Sequence, residues 1–140
     1  MKKIGFIGAY DKTDMIIYIA KLLVENGLKI LIVDATTLQK TRYTVPCITP
    51  SRSYITTYED IDIAIGFETL QGIKNYIQTP ELEYDMILLD VDNENAFESL
   101  KMYTSDKNYF VTAFDNYSLK RGLEIVGKTG TKILMTKVLF

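Results

Sequence analysis

The chain has no histidine and no tryptophan. The first absence removes imidazole acid–base catalysis, Ser-His-Asp triads and histidine metal sites together. The single cysteine, Cys47, has no internal partner for a disulfide, which fits a reducing, cytoplasmic setting. It lies in a loop rich in Pro and Thr and reads as a bystander. No apolar run approaches the roughly 18 residues of a membrane span. Met1-Lys2-Lys3 passes at once into strand pattern, too short and interrupted for a signal peptide. Neither sign of charge dominates: 16 Lys and Arg against 18 Asp and Glu leave a net charge of −2, which argues against a broad nucleic-acid surface. What is present, 140 residues with 47% hydrophobic and 24% charged side chains, suits one globular domain with one core.

Hydrophobic patterning and turn signals divide the chain into alternating strands and helices. Strands are expected at Ile4 to Ile7, Lys29 to Asp34, Tyr54 to Tyr58, Ile61 to Phe67, Tyr84 to Asp90, Tyr109 to Ala113 and Lys132 to Leu139. Helices are expected at Thr13 to Glu25 (closed by Asn26-Gly27), Glu68 to Gln78, Glu94 to Tyr103 and Asn116 to Lys128, the last capped by Asp115 or Asn116 and followed by Gly130. The runs at 30–34 and 86–90 lack alternation and read as strands buried on both faces, as in a parallel sheet. Residues 35–53 carry no periodicity, and Pro46 and Pro50 exclude a helix there; loops of that length are usually functional or mobile. The expectation is a single α/β domain over residues 1–140 with a mostly parallel sheet and helices on both faces.

The stretch from Ile4 to Thr13 has the layout of a phosphate-binding loop. Strand, glycine turn, Lys12-Thr13 and helix would set backbone N–H groups, a cation and a magnesium-ligating hydroxyl around a polyphosphate. The motif G-x-x-x-x-G-K-[ST] is incomplete, however. Only Gly8-Ala9-Tyr10-Asp11 precedes Lys12, about two residues short, with an acid where the second glycine belongs. At a separation of about 4–5 Å, a carboxylate and a phosphate oxygen repel by about 3–4 kcal/mol at an effective dielectric near 20. That is two to three orders of magnitude in affinity, at about 1.4 kcal/mol per decade. Lys12 reads either as the phosphate lysine or as a salt-bridge partner of Asp11, Asp34 or Asp90. Thr13 reads as a magnesium ligand or a helix cap. Asp34 and Asp90 end buried strands, where open α/β sheets place ligands.

Ile4 to Gly8, Lys12-Thr13 and Ile32-Val33-Asp34-Ala35 together resemble the start of ParA/MinD-type P-loop ATPases. Tyr84 to Asp90 is similar to that family's Walker B strand. Phe110 to Asp115 with Asn116-Tyr117-Ser118-Leu119 resembles its next strand and helix start. The departures are specific: the signature lysine and the loop glycines are missing, Thr36 stands for the second Asp, and Thr136 stands for the adenine-contacting Asn. Family members usually continue well beyond this length, so the chain is also read as one domain of a longer protein. In character it resembles the degenerate TadZ/CpaE-like positioning proteins.

The resemblance implies a P-loop NTPase-like three-layer sandwich. Gly8, Asp11, Lys12, Thr13 and Asp34 occupy the nucleotide-binding positions, and Thr13 and Asp90 the magnesium positions. The preferred expectation is a non-catalytic scaffold, without a cofactor, that positions pilus, secretion or conjugation machinery through protein partners and self-association to a dimer. The alternative is a weak Mg-ATP-binding ATPase or nucleotide-dependent dimerisation switch, in which Asp90 orients the water. A phosphoacceptor receiver domain shares the architecture but needs paired acids where Gly8-Ala9-Tyr10 stands. Arg42 and Arg52, with Lys40 nearby, are candidates for an anionic partner. Tyr10, Tyr18, Tyr43, Tyr54, Tyr58 and Tyr103 are candidates for a partner surface.

Overall fold

A computed structural model describes residues 1–44, 52–113, 115–129 and 135–139. Pro46, Cys47, Pro50, Phe114, Gly130 and the start of the last expected strand lie outside the described residues. Strands β1 (Lys2–Ile7), β2 (Ile30–Asp34), β3 (Tyr54–Tyr58), β4 (Ile61–Ile65), β5 (Met86–Val91), β6 (Lys107–Thr112) and β7 (Met135–Leu139) form one sheet in the order β3-β4-β2-β5-β1-β6-β7. Neighbours are parallel except β3 and β4, an antiparallel hairpin turned by Glu59 and Asp60 with φ of 49 and 66°. Two consecutive positive φ values match the right-handed twist of the flanking strands. The helices are α1 (Thr13–Glu25), α2 (Thr41–Thr44), α3 (Leu70–Ile77), α4 (Glu94–Ser99) and α5 (Asn116–Thr129), with a 3-10 turn at Met102–Thr104.

Strand parity sorts the core into two layers. Ile30, Ile32 and Leu88 pack with Ile16, Ile17 and Ala20 of α1 on one face. Leu31, Val33, Ile87 and Leu89 pack on the other face with Ile73 of α3, Phe97 of α4, Leu100 just after α4 and Ile125 of α5. This explains the unbroken apolar runs of β2 and β5: in a sheet covered on both sides, odd and even residues are both buried. The same parity puts Asp34 and Asp90, directly opposite in register, on the α1 face. Among the described residues, no helix is long and apolar enough to cross a membrane.

Three elements differ from expectation. One helical turn, α2, forms inside the stretch read as loop. Helix α4 stops at Ser99 rather than continuing to Tyr103; Lys101 takes a left-handed conformation (φ 52°), which turns Met102 into the core. Strand β4 ends at Ile65, where Gly66 turns the chain with φ +84°.

Candidate functional site

The loop between β1 and α1 begins at Gly8. Its N–H donates to the Val91 carbonyl at 3.1 Å, and a Cβ there would lie 2.0 Å from the Val111 carbonyl oxygen. Only glycine fits between the ends of β5 and β6, so this residue fixes where the loop departs. Four residues later Lys12 folds back beneath the loop and is 2% exposed. Its ammonium donates to the Gly8 carbonyl at 2.9 Å and the Val91 carbonyl at 3.1 Å, and meets Asp90 Oδ1 at 2.8 Å. An ammonium has three protons, and the two carbonyls take two of them. The aligned hydrogen bonds go to the carbonyls; Asp90 Oδ1 has the charge contact but no aligned hydrogen bond among the described residues. Burial pushes the Asp90 carboxyl up to about 6; Lys12 opposes that rise, while Asp34 and Asp92 add to it.

Asp11 does not pair with Lys12. It is exposed, accepts the Thr13 N–H at 3.2 Å, and pairs with Lys40 at 3.1 Å. Partial burial opposes its ionisation, but hydrogen bonds from Lys40 and Thr13 outweigh that and hold its carboxyl below the usual range. Thr13 opens α1 and is buried.

Asp34 is fully buried, and both its oxygens are occupied. Oδ1 accepts from the Thr36 N–H (3.0 Å) and hydroxyl (2.6 Å), and Oδ2 from the Thr41 N–H (3.2 Å) and hydroxyl (2.5 Å). Asp92 Oδ1 similarly accepts the Thr37 N–H and hydroxyl at 3.0 and 3.1 Å. The segment from Thr36 to Thr41 is therefore a strap tied to the ends of β2 and β5 and latched by Lys40 to Asp11. Beneath it remains a cavity of about 60 Å³ lined by residues 9–13 with Thr36, Leu38, Lys40, Asp90 and Asp92. A water in the liquid takes about 30 Å³, whereas pockets for small organic ligands start near 300 Å³. Outside the strap lies a shallower depression of about 410 Å³ among Asp11, Asp14, Leu38, Lys40 and Tyr43.

The structure thus gathers Gly8, Asp11, Lys12, Thr13, Asp34 and Asp90 at one end of the sheet. It also brings in Asp92, Lys40 and Thr41, which sequence reading did not assign to this site. Their signals were present: an acid two residues beyond Asp90 beside an Asn cap, and threonines placed to bond backwards to Asp34. The set of tyrosines divides. Tyr18, Tyr43 and Tyr103 are exposed, whereas Tyr54 is buried, stacked beneath Arg42, and is no surface residue. The described part of β7 includes Thr136 in register with Tyr109.

No protein-family model and no curated protein matches the chain in sequence. Solved structures do match in shape. A chain of the MinC:MinD cell division protein complex of Aquifex aeolicus is 18% identical, with a TM-score of 0.64 over 99% of this chain and 68% of that one. The ParA family ATPase of Chlorobium tepidum is also 18% identical, with a TM-score of 0.64 over 99% of this chain and 73% of that one. The cell division ATPase MinD of Pyrococcus furiosus is 16% identical, with a TM-score of 0.60 over 99% and 71%. Strand order, the buried strand-end acids and these likenesses agree, and the chain has the α/β fold of the ParA/MinD-type P-loop NTPases.

Proposed function

We propose that the chain is a non-catalytic ParA/MinD-like domain that positions or recruits a larger assembly through protein contacts. The observation that carries this reading is the burial of Lys12, hydrogen-bonded to the Gly8 and Val91 carbonyls and in charge contact with Asp90. A polyphosphate would need that ammonium, and breaking a buried pair costs about 3–5 kcal/mol. That is two to three and a half decades of affinity before the repulsion from Asp11 is counted. The cavity of about 60 Å³ and the saturated oxygens of Asp34 point the same way. These residues do not fit a bound Mg-polyphosphate as they stand. The TadZ/CpaE-like reading, with pilus, secretion or conjugation machinery as the client, belongs to this proposal.

Self-association belongs to it as well. Exposed Leu38 and Tyr43 beside Asp11, Asp14 and Lys40 offer an apolar centre with a charged rim. The test is isothermal titration of Mg-ATP, Mg-GTP and the diphosphates, with sedimentation of the protein with and without Mg-ATP. The expected results are no heat at millimolar nucleotide, and a dimer whose mass is indifferent to nucleotide and lost in Tyr43→Asp. Micromolar binding, or a dimer that forms only with Mg-ATP, would overturn the reading in favour of a nucleotide switch.

A further inference from the structure

A second site lies on the far side of the strap, where β2 and β5 run side by side but send their connections in opposite directions, β2 towards β3 and β5 towards β6. Diverging loops open a crevice beyond the carboxyl ends of two such strands, the place where open α/β sheets hold ligands. A groove of about 910 Å³ occupies that position. Its volume is ample for a small organic molecule, in contrast to the cavity around Lys12.

The groove's rim is built from Arg42 and Arg52. Arg42 is structural: its guanidinium lies over the Tyr54 ring at 5.0 Å, its Nε donates to Gln39 Oε1 at 2.9 Å, and its Nη2 donates to the Arg52 carbonyl at 2.7 Å. Gly66 packs so closely beneath that carbonyl that a Cβ would lie 2.0 Å from it. The backbone of Arg52 is thus clamped from two sides. Its own guanidinium is exposed and makes no hydrogen bond or ion pair with a described residue, and the same holds for Glu68 and Asn95, which also line the groove. Gln39 spends its oxygen on Arg42, leaving its amide nitrogen uncommitted. The uncommitted set is a fork of cationic donors, one carboxylate acceptor and two amide groups.

We propose that this groove binds a small polyhydroxylated anion. The carboxylate or phosphate head sits on the Arg52 guanidinium, which matches either oxyanion with paired N–H donors. The hydroxyls are shared among Glu68, Asn95 and the Gln39 amide. A carboxylate in the same lining disfavours a ligand that is anionic throughout and selects one with donors away from its head. This site is independent of the nucleotide question, since none of these side chains touches Lys12 or Asp90.

The test is amide NMR of the whole chain titrated with ribose 5-phosphate, gluconate and inorganic phosphate. The expected result is saturable shifts confined to residues 39, 52–53, 66–72 and 93–99 for ribose 5-phosphate or gluconate, whichever binds naming the head group. Arg52→Ala should weaken that binding by about tenfold or more, with Arg52→Lys between the two. The Arg52 side chain is exposed, so its removal leaves the fold intact, which the unperturbed remainder of the spectrum reports. Three results would overturn the proposal: no shifts at about 50 mM of any probe (weaker than the weakest useful affinity), equal binding by Arg52→Ala, or inorganic phosphate binding as tightly as both polyols. Shifts centred on residues 9–13 would overturn it too, and would speak against the lapsed nucleotide site instead.

Discussion

Replacing Lys12 by Met keeps the stem of the side chain in place and deletes its charge. At 2.8 Å, and an effective dielectric near 20, the attraction lost is about 6 kcal/mol. Desolvation of both ions offsets part of it, and removing one partner from a buried pair costs about 3–5 kcal/mol in practice. The cost falls on Asp90, left buried without its counter-ion. Because burial already raises its carboxyl to about 6, the folded protein takes up a proton there that the unfolded chain, with a carboxyl near 3.8, does not. Stability linked to this group is complete below the unfolded value and is lost as pH rises through the folded one. Without Lys12 the folded value moves higher still, so the variant continues to lose stability above pH 6, at up to about 1.4 kcal/mol per pH unit. Urea unfolding at pH 5 and pH 7 should therefore give a deficit of about 3–5 kcal/mol at pH 7 that shrinks at pH 5. The double variant Lys12→Met/Asp90→Leu should recover most of it, since a packed apolar pair replaces a buried ion pair at little cost. A single variant within about 1 kcal/mol of the parent at pH 7, or a double variant no better than the single, would refute the reasoning.

Asp34→Ala removes the shared acceptor of Thr36 and Thr41 and should cost about 3 kcal/mol in chemical unfolding, with amide exchange of residues 36–44 accelerated before that of the sheet. Gly8→Ala forces a Cβ to within 2.0 Å of the Val111 carbonyl and should lower the thermal midpoint severely or abolish folding; a midpoint within a few degrees of the parent would contradict the packing described. Glu94 is held down to about 2, chiefly by its paired hydrogen bonds from Arg121, which tie α4 to α5. A depressed carboxyl contributes stability above its unfolded value and loses it as pH falls through the folded one. Arg121→Ala should therefore cost about 0.5–1 kcal/mol near neutrality, allowing for solvent screening, and progressively less as pH falls below the ordinary carboxylate range towards 2.

The fold was legible because the burial it demands is written in the apolar runs 30–34 and 86–90 and in the glycine-terminated helix after Thr13. Those signals are local and repetitive. The partners of the charged residues were not, since they depend on which strand ends meet. The candidates for Lys12 were Asp11, Asp34 and Asp90; register places Asp90 beside Phe6 and Val91 beside Ile7, so the chain returning from Gly8 reaches Asp90 first. Asp11 was visible as an intruder in the loop, but its pairing with Lys40 depends on the strap, whose one-turn helix is too short to leave a periodic trace. Asp34 read as a ligand position because acids at strand ends often are; four hydrogen bonds from threonines nearby in sequence give it a second occupation that composition alone does not reveal.

Strand β1 is central in the sheet, yet its two neighbours lie roughly eighty and a hundred residues later in the sequence. At a synthesis rate of about 5–20 residues per second, this strand waits several seconds before either edge can be covered. During that interval Ile4, Phe6 and Ile7 belong to an exposed, unpaired segment of high strand propensity. Long-range parallel pairing of this kind is slow to form. The residue sequence that builds the centre of the sheet is therefore also the one most exposed to capture by a chaperone, or by another nascent chain, while the protein is being made.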